Sequence, residues 1–298
     1  MSGFDVAINV TDPQEVADAL DAGAAALLGN PARRGSSVHL PDRGSVLLTG
    51  DLHDNPVHLR RVVDAARLGE GGDRHVVLHE LIHGDRLTNG CDLSYRVLVR
   101  AALLAARHPA QVHVVLANHE LAQAFRHPVS KGAGDNLEQF DAGLEWAFGD
   151  DAGLVEEAVG RFVRAMPLAV RAPNGLFLSH SLPAPHQLEG FDLGVIDRPL
   201  EDADYALRTG SAWRMVWGRG WDADELRTLA AAWGARTFVL GHAYVEAGAE
   251  APFADLLLLN SDHAGGKIVE VDLAEPCPPA PHLVARSVAL SALGGLDD

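Results

Sequence analysis

Residues 79–83 read His-Glu-Leu-Ile-His, the H-E-x-x-H spacing with which a helix turns two histidines onto one zinc ion and a glutamate onto its bound water. More potential ligands follow short apolar runs: Asp51 and His53 after "SVLLTG", Glu80 after "HVVLH", Asn118 and His119 after "QVHVVLA", His180 after "GLFLS" and His242 after "RTFVLG". Such runs read as buried strands, and ligands of open α/β sheets gather outside the carboxyl ends of strands. One strand-terminal histidine is ordinarily a satisfied structural residue. A succession of strand ends that all carry carboxylate, imidazole or amide points instead to a shared site. Those donors suit Mn²⁺, Fe or Zn²⁺, and a central carboxylate can bridge two ions.

The elements that must position these residues alternate. Helix-like stretches such as "LSYRVLVRAALLAARH" and "ELRTLAAAWG" lie between the strand runs, an α/β layout. An acidic amphipathic helix is expected over "DPQEVADALDAGAAALLG" and a loop over "NPARRGSSVHLPDRG". The expected organisation is an N-terminal helical extension over 1–40, a catalytic domain over 41–275 with a mostly helical insertion around 128–165, and a C-terminal tail over 276–298. A zinc helix is disfavoured at 79–83, because "GDRLTNG" follows at once with two glycines and turn formers. In the longer peptidase pattern, Arg86 and Asn89 stand where glycine and histidine are required.

Bulk properties narrow the partners. The net charge is −17, with 41 acids against 24 bases and no basic stripe, which argues against a nucleic-acid partner. No apolar run approaches the roughly 18 residues of a membrane span. Cys91 and Cys277 are the only thiols, and the N-terminal residues lack the layout of a secretory signal. A cytoplasmic protein is the expectation.

The ordered series "GDLH", Glu80, "NHE", His180 and His242 resembles the calcineurin-like metallophosphoesterases, and within them the serine/threonine protein phosphatase branch. The resemblance runs from about residue 45 to 273 and includes "RFVRAMPLAVRAPNGLFLSHS" and "DLLLLNSDHAGGKIVEVDL", the latter similar to the closing strand pair of that family. It implies an αββα sandwich of two mixed sheets flanked by helices, with a dimetal site at the carboxyl ends of strands. Two divalent or trivalent ions (Mn, Fe or Zn) are implied, with Asp51 and His53 on the first, Glu80 bridging, and Asn118, His180 and His242 on the second. It implies hydrolysis of a phosphoester, a phosphorylated protein or a small phosphoester, by in-line attack of a bridging hydroxide, with Asp51 at the reacting centre and His119 as general acid.

The sequence departs from this family in the stretch that holds H-E-x-x-H. His79 replaces glycine, Glu80 replaces the bridging aspartate, His83 replaces the aspartate that orients the general acid, and Gly84 replaces a phosphate-binding arginine. Arg86 reads equally as a substitute phosphate binder or an exposed loop residue. Arg219 stands where the family has its second phosphate-binding arginine, with Arg214 the alternative. Asp54 reads as a nearby carboxylate or a helix cap, Glu120 equally as a support for the Asn118–His119 loop or a surface or helix-start residue, and Tyr244 as packing. Three further readings stand beside the phosphoesterase: a nucleotide polyphosphate hydrolase on the same fold, a catalytically weak metal-binding module, and the zinc peptidase.

Overall fold

The computed structural model describes residues 7–71, 73–129 and 134–293, and among these two mixed sheets lie face to face between helices. One sheet runs edge to edge through Val288–Ala289, Lys267–Asp272, Ser45–Asp51, Arg74–His79 and Val112–Val115. The other runs through Arg33–Arg34, Ser37–His39, Ala169–Arg171, Leu176–Ser179, Thr237–Leu240, Leu256–Leu259 and Ala249–Phe253. The strands that lead to potential ligands are parallel to their neighbours within each sheet, Ser45–Asp51 to Arg74–His79 to Val112–Val115 and Leu176–Ser179 to Thr237–Leu240. Their carboxyl ends therefore share an edge.

Strand periodicity explains the layering. Successive side chains point to opposite faces, and Leu48, Val77, Leu178 and Val239 meet in one core between the sheets. Their neighbours Leu47, Val76, Leu78, Phe177 and Phe238 instead join the core beneath the helices. Both faces of each strand are thus buried, which is why the runs read as continuously apolar. The expected αββα sandwich is the observed fold.

The sheets touch at their carboxyl ends, where Asp51 and Asn260 form a parallel bridge and Ser261 N donates to Asp51 O at 3.0 Å. Gly50 permits this approach: a Cβ there would lie 1.8 Å from the Leu259 carbonyl oxygen.

Several expectations change. The N-terminal helix forms at Pro13–Leu28, with the Asp12 side chain accepting from Gln14 N and Glu15 N. It is no appendage: Val16, Leu20 and Leu27 sit in the main core, and the helix packs on Tyr95–Arg107 and Ala152–Ala165. Residues 33–39, read as loop, extend a sheet. The insertion is helical at Asn136–Phe148 and Ala152–Ala165, as expected. Leu256–Leu259 and Lys267–Asp272 do not pair with each other but enter different sheets. The tail helix Ala280–Arg286 buries Ala280 and Leu283 in the core between the sheets, so the tail is part of the fold as far as residue 293. The expected boundary at 276 therefore marks no break in packing, and residues 1–6 and 294–298 of the two terminal segments lie outside the described residues. No helix among the described residues is long and apolar enough to cross a membrane.

At the opposite ends of the parallel strands, His75 Nδ1 lies 3.2 Å from His113 Nε2, and Asn30 Nδ2 lies 3.3 Å from His113 Nδ1. Burial lowers His113 to about 3, so the folded chain refuses a proton that an unfolded histidine accepts below about 6.5. Stability from this group is complete above about 6.5 and falls as the pH drops towards 3, by about 1.4 kcal/mol per pH unit. Urea midpoints measured across this range are expected to decline towards acid and to decline less in His113→Asn; identical slopes for the two proteins would contradict this.

Candidate metal centre

The strand ends bring Asp51, His53, Glu80, Asn118, His180 and His242 into one buried cluster. The H-E-x-x-H stretch is not helical: His79 ends a strand, and Glu80 and His83 take left-handed backbone angles, φ 51° and 58°. A zinc helix is absent, so the peptidase reading is overturned. Of the nine non-glycine residues with positive φ among those described, five are His53, Asp54, Glu80, His83 and His242. Left-handed residues without glycine are costly and concentrate at functional sites.

Backbone contacts join the loops. The Glu80 carbonyl accepts from Leu52 N and His53 N at 3.0 and 2.7 Å, and the Leu81 carbonyl accepts from Asp54 N at 2.9 Å. Glu120 completes this brace, its Oε1 accepting from Leu81 N and Ile82 N at 2.6 and 3.2 Å. Glu120 stands in the first turn of Asn118–Phe125, as one of its readings has it, but it is buried and braces the Glu80 loop rather than the Asn118–His119 loop. Burial raises the Glu120 carboxyl to about 7 against the pull of those amides.

Histidine tautomers follow from what each ring faces. A carbonyl oxygen only accepts, so His53 carries its proton on Nδ1, which lies 3.1 Å from the Ile82 carbonyl oxygen. Its Nε2 then turns a lone pair towards Glu80 Oε2 at 3.5 Å. His79 likewise donates from Nε2 to the Thr49 carbonyl oxygen at 2.8 Å, leaving its Nδ1 as acceptor for His180 Nδ1 at 3.2 Å. Burial, with neighbouring histidines next in effect, holds His180 well below the usual histidine range, so the ring is neutral. Its Nε2 lone pair faces Asn118 Oδ1 at 2.7 Å, His242 Nδ1 at 3.2 Å and Glu80 Oε2 at 3.5 Å. The Asp51 and Glu80 carboxyls also interact, and Asp51 accepts from His242 N at 2.9 and 3.1 Å.

These donors fit cations. Lone pairs and carboxylates converge with few hydrogens between them, an arrangement that is unfavourable in a buried site unless positive charge is shared among them. The geometry contains two compact groups of potential ligands, Asp51 with His79 and His180, and His53 with Glu80 and His119. His79 stands outside the ligand set that the resemblance implies, its signals in the sequence being the H-E-x-x-H spacing and its replacement of a glycine. With Nε2 bonded to Thr49 and Nδ1 facing His180, His79 backs the His180 ring.

No family model matches the chain, and no curated protein matches it in sequence. Solved structures do match. A protein serine/threonine phosphatase from Saccharomyces cerevisiae with similarity to human phosphatase PP5 superposes at a TM-score of 0.61 and 15% identity, over 88% of this chain and 83% of that one. A cold-active protein-tyrosine phosphatase of a psychrophilic Shewanella species superposes at 0.52 and 14% identity, over 79% and 77%. The chain has the fold of these phosphatases. The resemblance read from the motifs is borne out at the level of fold.

On this phosphatase fold the remaining candidates separate. His119 Nε2 lies 3.8 Å from Glu80 Oε1, beside the cluster. Exposed Arg219 reaches it too, with Nη2 3.4 Å from His242 Nδ1. Arg86 instead grips Asp54, Nη2 to Oδ2 at 2.9 Å and Nε to the backbone oxygen at 3.0 Å. Asp54 is therefore not the cap of Pro56–Ala66, a role taken by Asn55. Arg214 Nη1 donates to the Gln187 carbonyl at 3.1 Å. Tyr244 is 74% exposed, so the packing expected of it is not observed.

Proposed function

We propose that this protein hydrolyses phosphoesters with two metal ions held by the strand-end cluster. Asp51, His53 and Glu80 would hold one ion, and Glu80, Asn118, His180 and His242 the other. The observation that carries the proposal is the convergence of His53 Nε2, His180 Nε2, Asn118 Oδ1 and His242 Nδ1 around Glu80 and Asp51 on a phosphatase fold.

Bound together, such ions lower the pKa of a water and polarise phosphoryl oxygens. The chain supplies the rest. Ile82 and His79 fix the rings of His53 and His180 with their ligating nitrogens inward. Glu120 and the left-handed turn at Glu80 keep that carboxylate between the two histidines. Arg219, exposed beside His242, meets the phosphate charge, whereas Arg86 is committed to Asp54. His119 Nε2 faces the leaving-group side and donates the proton that neutralises the departing oxygen.

The two neighbouring folds carry names for serine/threonine and tyrosine phosphatases, which motivates a phosphorylated protein side chain as substrate class. The test is hydrolysis of 4-nitrophenyl phosphate by protein stripped with a chelator and reloaded with Mn²⁺, Fe²⁺ or Zn²⁺. Activity is expected to vanish on stripping and return on reloading. Inactivity on aryl phosphates and phosphopeptides with every metal would overturn the proposal and favour a non-catalytic metal-binding module.

A further inference from the structure

Beyond the metal cluster, a file of buried polar groups leads away from His119. His119 Nδ1 lies 2.9 Å from His83 Nδ1, His83 Nε2 lies 3.1 Å from Gln123 Oε1, and Gln123 Nε2 donates to Asp141 Oδ1 at 2.9 Å. Arg126 holds both oxygens of Asp141. His83 and Gln123 are 0% and 3% exposed, so water does not compete for these bonds.

The file has one internally consistent direction. Asp141, paired with Arg126, is a carboxylate and only accepts, so the Gln123 amide must turn its NH₂ to Asp141 and its oxygen to His83. That oxygen also only accepts, so His83 carries its hydrogen on Nε2. The His83 ring is fully buried between the Gln123 amide and His119, where an imidazolium charge is costly, so the ring is neutral and its Nδ1 is an acceptor. His119 must therefore carry a hydrogen on Nδ1.

We propose that His83 and Gln123 are positioning residues that lock His119 in the Nδ1–H tautomer, so that Nε2 is the nitrogen exchanging a proton at the metal site. The aspartate that the sequence lacks at position 83 is in effect replaced by Asp141, reached through two intervening side chains. The inference rests on the phosphoester-hydrolase reading for its consequence, but the tautomer itself does not depend on activity. During hydrolysis, the attacking oxygen forms its bond to phosphorus as the bond to the leaving oxygen breaks. His119, neutral at rest with its hydrogen on Nδ1, enters this step after Nε2 has taken a proton from solvent water; the leaving oxygen keeps that electron pair and takes this Nε2 proton. His119 ends neutral, with Nδ1–H still bonded to His83.

The experiment has two readouts on the zinc-loaded protein. The first is ¹⁵N NMR of the histidine rings, with His119 assigned by comparison with His119→Ala. The wild type is expected to show His119 as the Nδ1–H tautomer, and Gln123→Leu a mixture. An Nε2–H tautomer in the wild type, or an unchanged His119 in Gln123→Leu, would overturn the proposal.

The second compares phenyl phosphate, whose leaving group needs a proton, with 2,4-dinitrophenyl phosphate, whose leaving group does not. In Gln123→Leu and His83→Ala, kcat on phenyl phosphate should fall about ten-fold or more, part of the roughly 10²- to 10⁴-fold that a general acid supplies, while the dinitrophenyl ester falls far less. His83→Asp, which offers His119 an acceptor directly, should recover the phenyl phosphate rate. Equal losses on both esters without recovery would mean a merely structural role and overturn the proposal. Wild-type inactivity on both esters with the Nδ1–H tautomer intact would refute the hydrolase reading and leave the tautomer assignment standing.

Discussion

Glu80→Gln is expected to cut phosphoester hydrolysis by about 10²- to 10³-fold, on the scale of losing one preorganised electrostatic group at a reacting centre. Glutamine preserves the shape of the side chain, the braces from Glu120 to Leu81 and Ile82, and the Glu80 carbonyl that binds Leu52 N and His53 N. Only the negative charge between His53 Nε2 and His180 Nε2 is removed. The fold should therefore survive, with a urea midpoint close to that of the wild type, while metal content and kcat fall together. Hydrolysis at near wild-type rates by a well-folded Glu80→Gln would show that no shared carboxylate is needed.

Gly241→Ala should be nearly as damaging, for a steric reason. A Cβ at position 241 would lie 2.1 Å from Asp51 Oδ1 and 2.6 Å from His79 Cε1. Neither neighbour can yield easily: Asp51 is fixed by two bonds from His242 N, and His79 by Thr49 and His180. The methyl group must displace the Asp51 carboxylate, the His79 ring or the strand end. Overpacking of this kind costs about 1–3 kcal/mol, and loss of ligand orientation should weaken metal binding by about 10- to 100-fold. Gly153→Ala provides the control. It lies in the Ala152–Ala165 helix with nothing within 4 Å of the added methyl, and should be neutral or slightly stabilising. Thermal melting and metal titration of the two variants separate the effects; equal behaviour of the two would contradict a packed site at Gly241.

The strand ends were legible because local sequence alone determines them. A run such as "SVLLTGDLH" is apolar on both faces for as long as it is sandwiched, and turns polar where the sheet ends. Parallel strands then collect those polar ends at one edge, so Asp51, Glu80, Asn118, His180 and His242 could be grouped before any contact was visible. Features set by distant contacts were not legible. The N-terminal helix reads as amphipathic whether or not a partner exists, and only its packing on Tyr95–Arg107 and Ala152–Ala165 makes it core. Arg86 offered a cation near the site, but its geometry depends on Asp54, 32 residues away. Gln123 and Asp141 carry no motif at all, and their link to His119 exists only because the Asn118–Phe125 and Asn136–Phe148 helices are neighbours of the His83 loop.

The H-E-x-x-H stretch shows how the same residues can be read in two ways. Its spacing suits a helix, yet its surroundings impose a strand followed by left-handed turns, and in that setting its three polar residues take separate tasks. Glu80 enters the cluster, His79 backs His180, and His83 contacts His119.

A two-ion hydrolytic site is tested most directly by elemental analysis of the purified wild-type protein beside Glu80→Gln, with 4-nitrophenyl phosphate hydrolysis assayed on the same samples. About two transition-metal ions are expected per active wild-type chain, as a two-ion site requires, with a matching loss of metal and activity in the variant. Full wild-type activity with one ion or none, or a variant that keeps both ions and its activity, would contradict it.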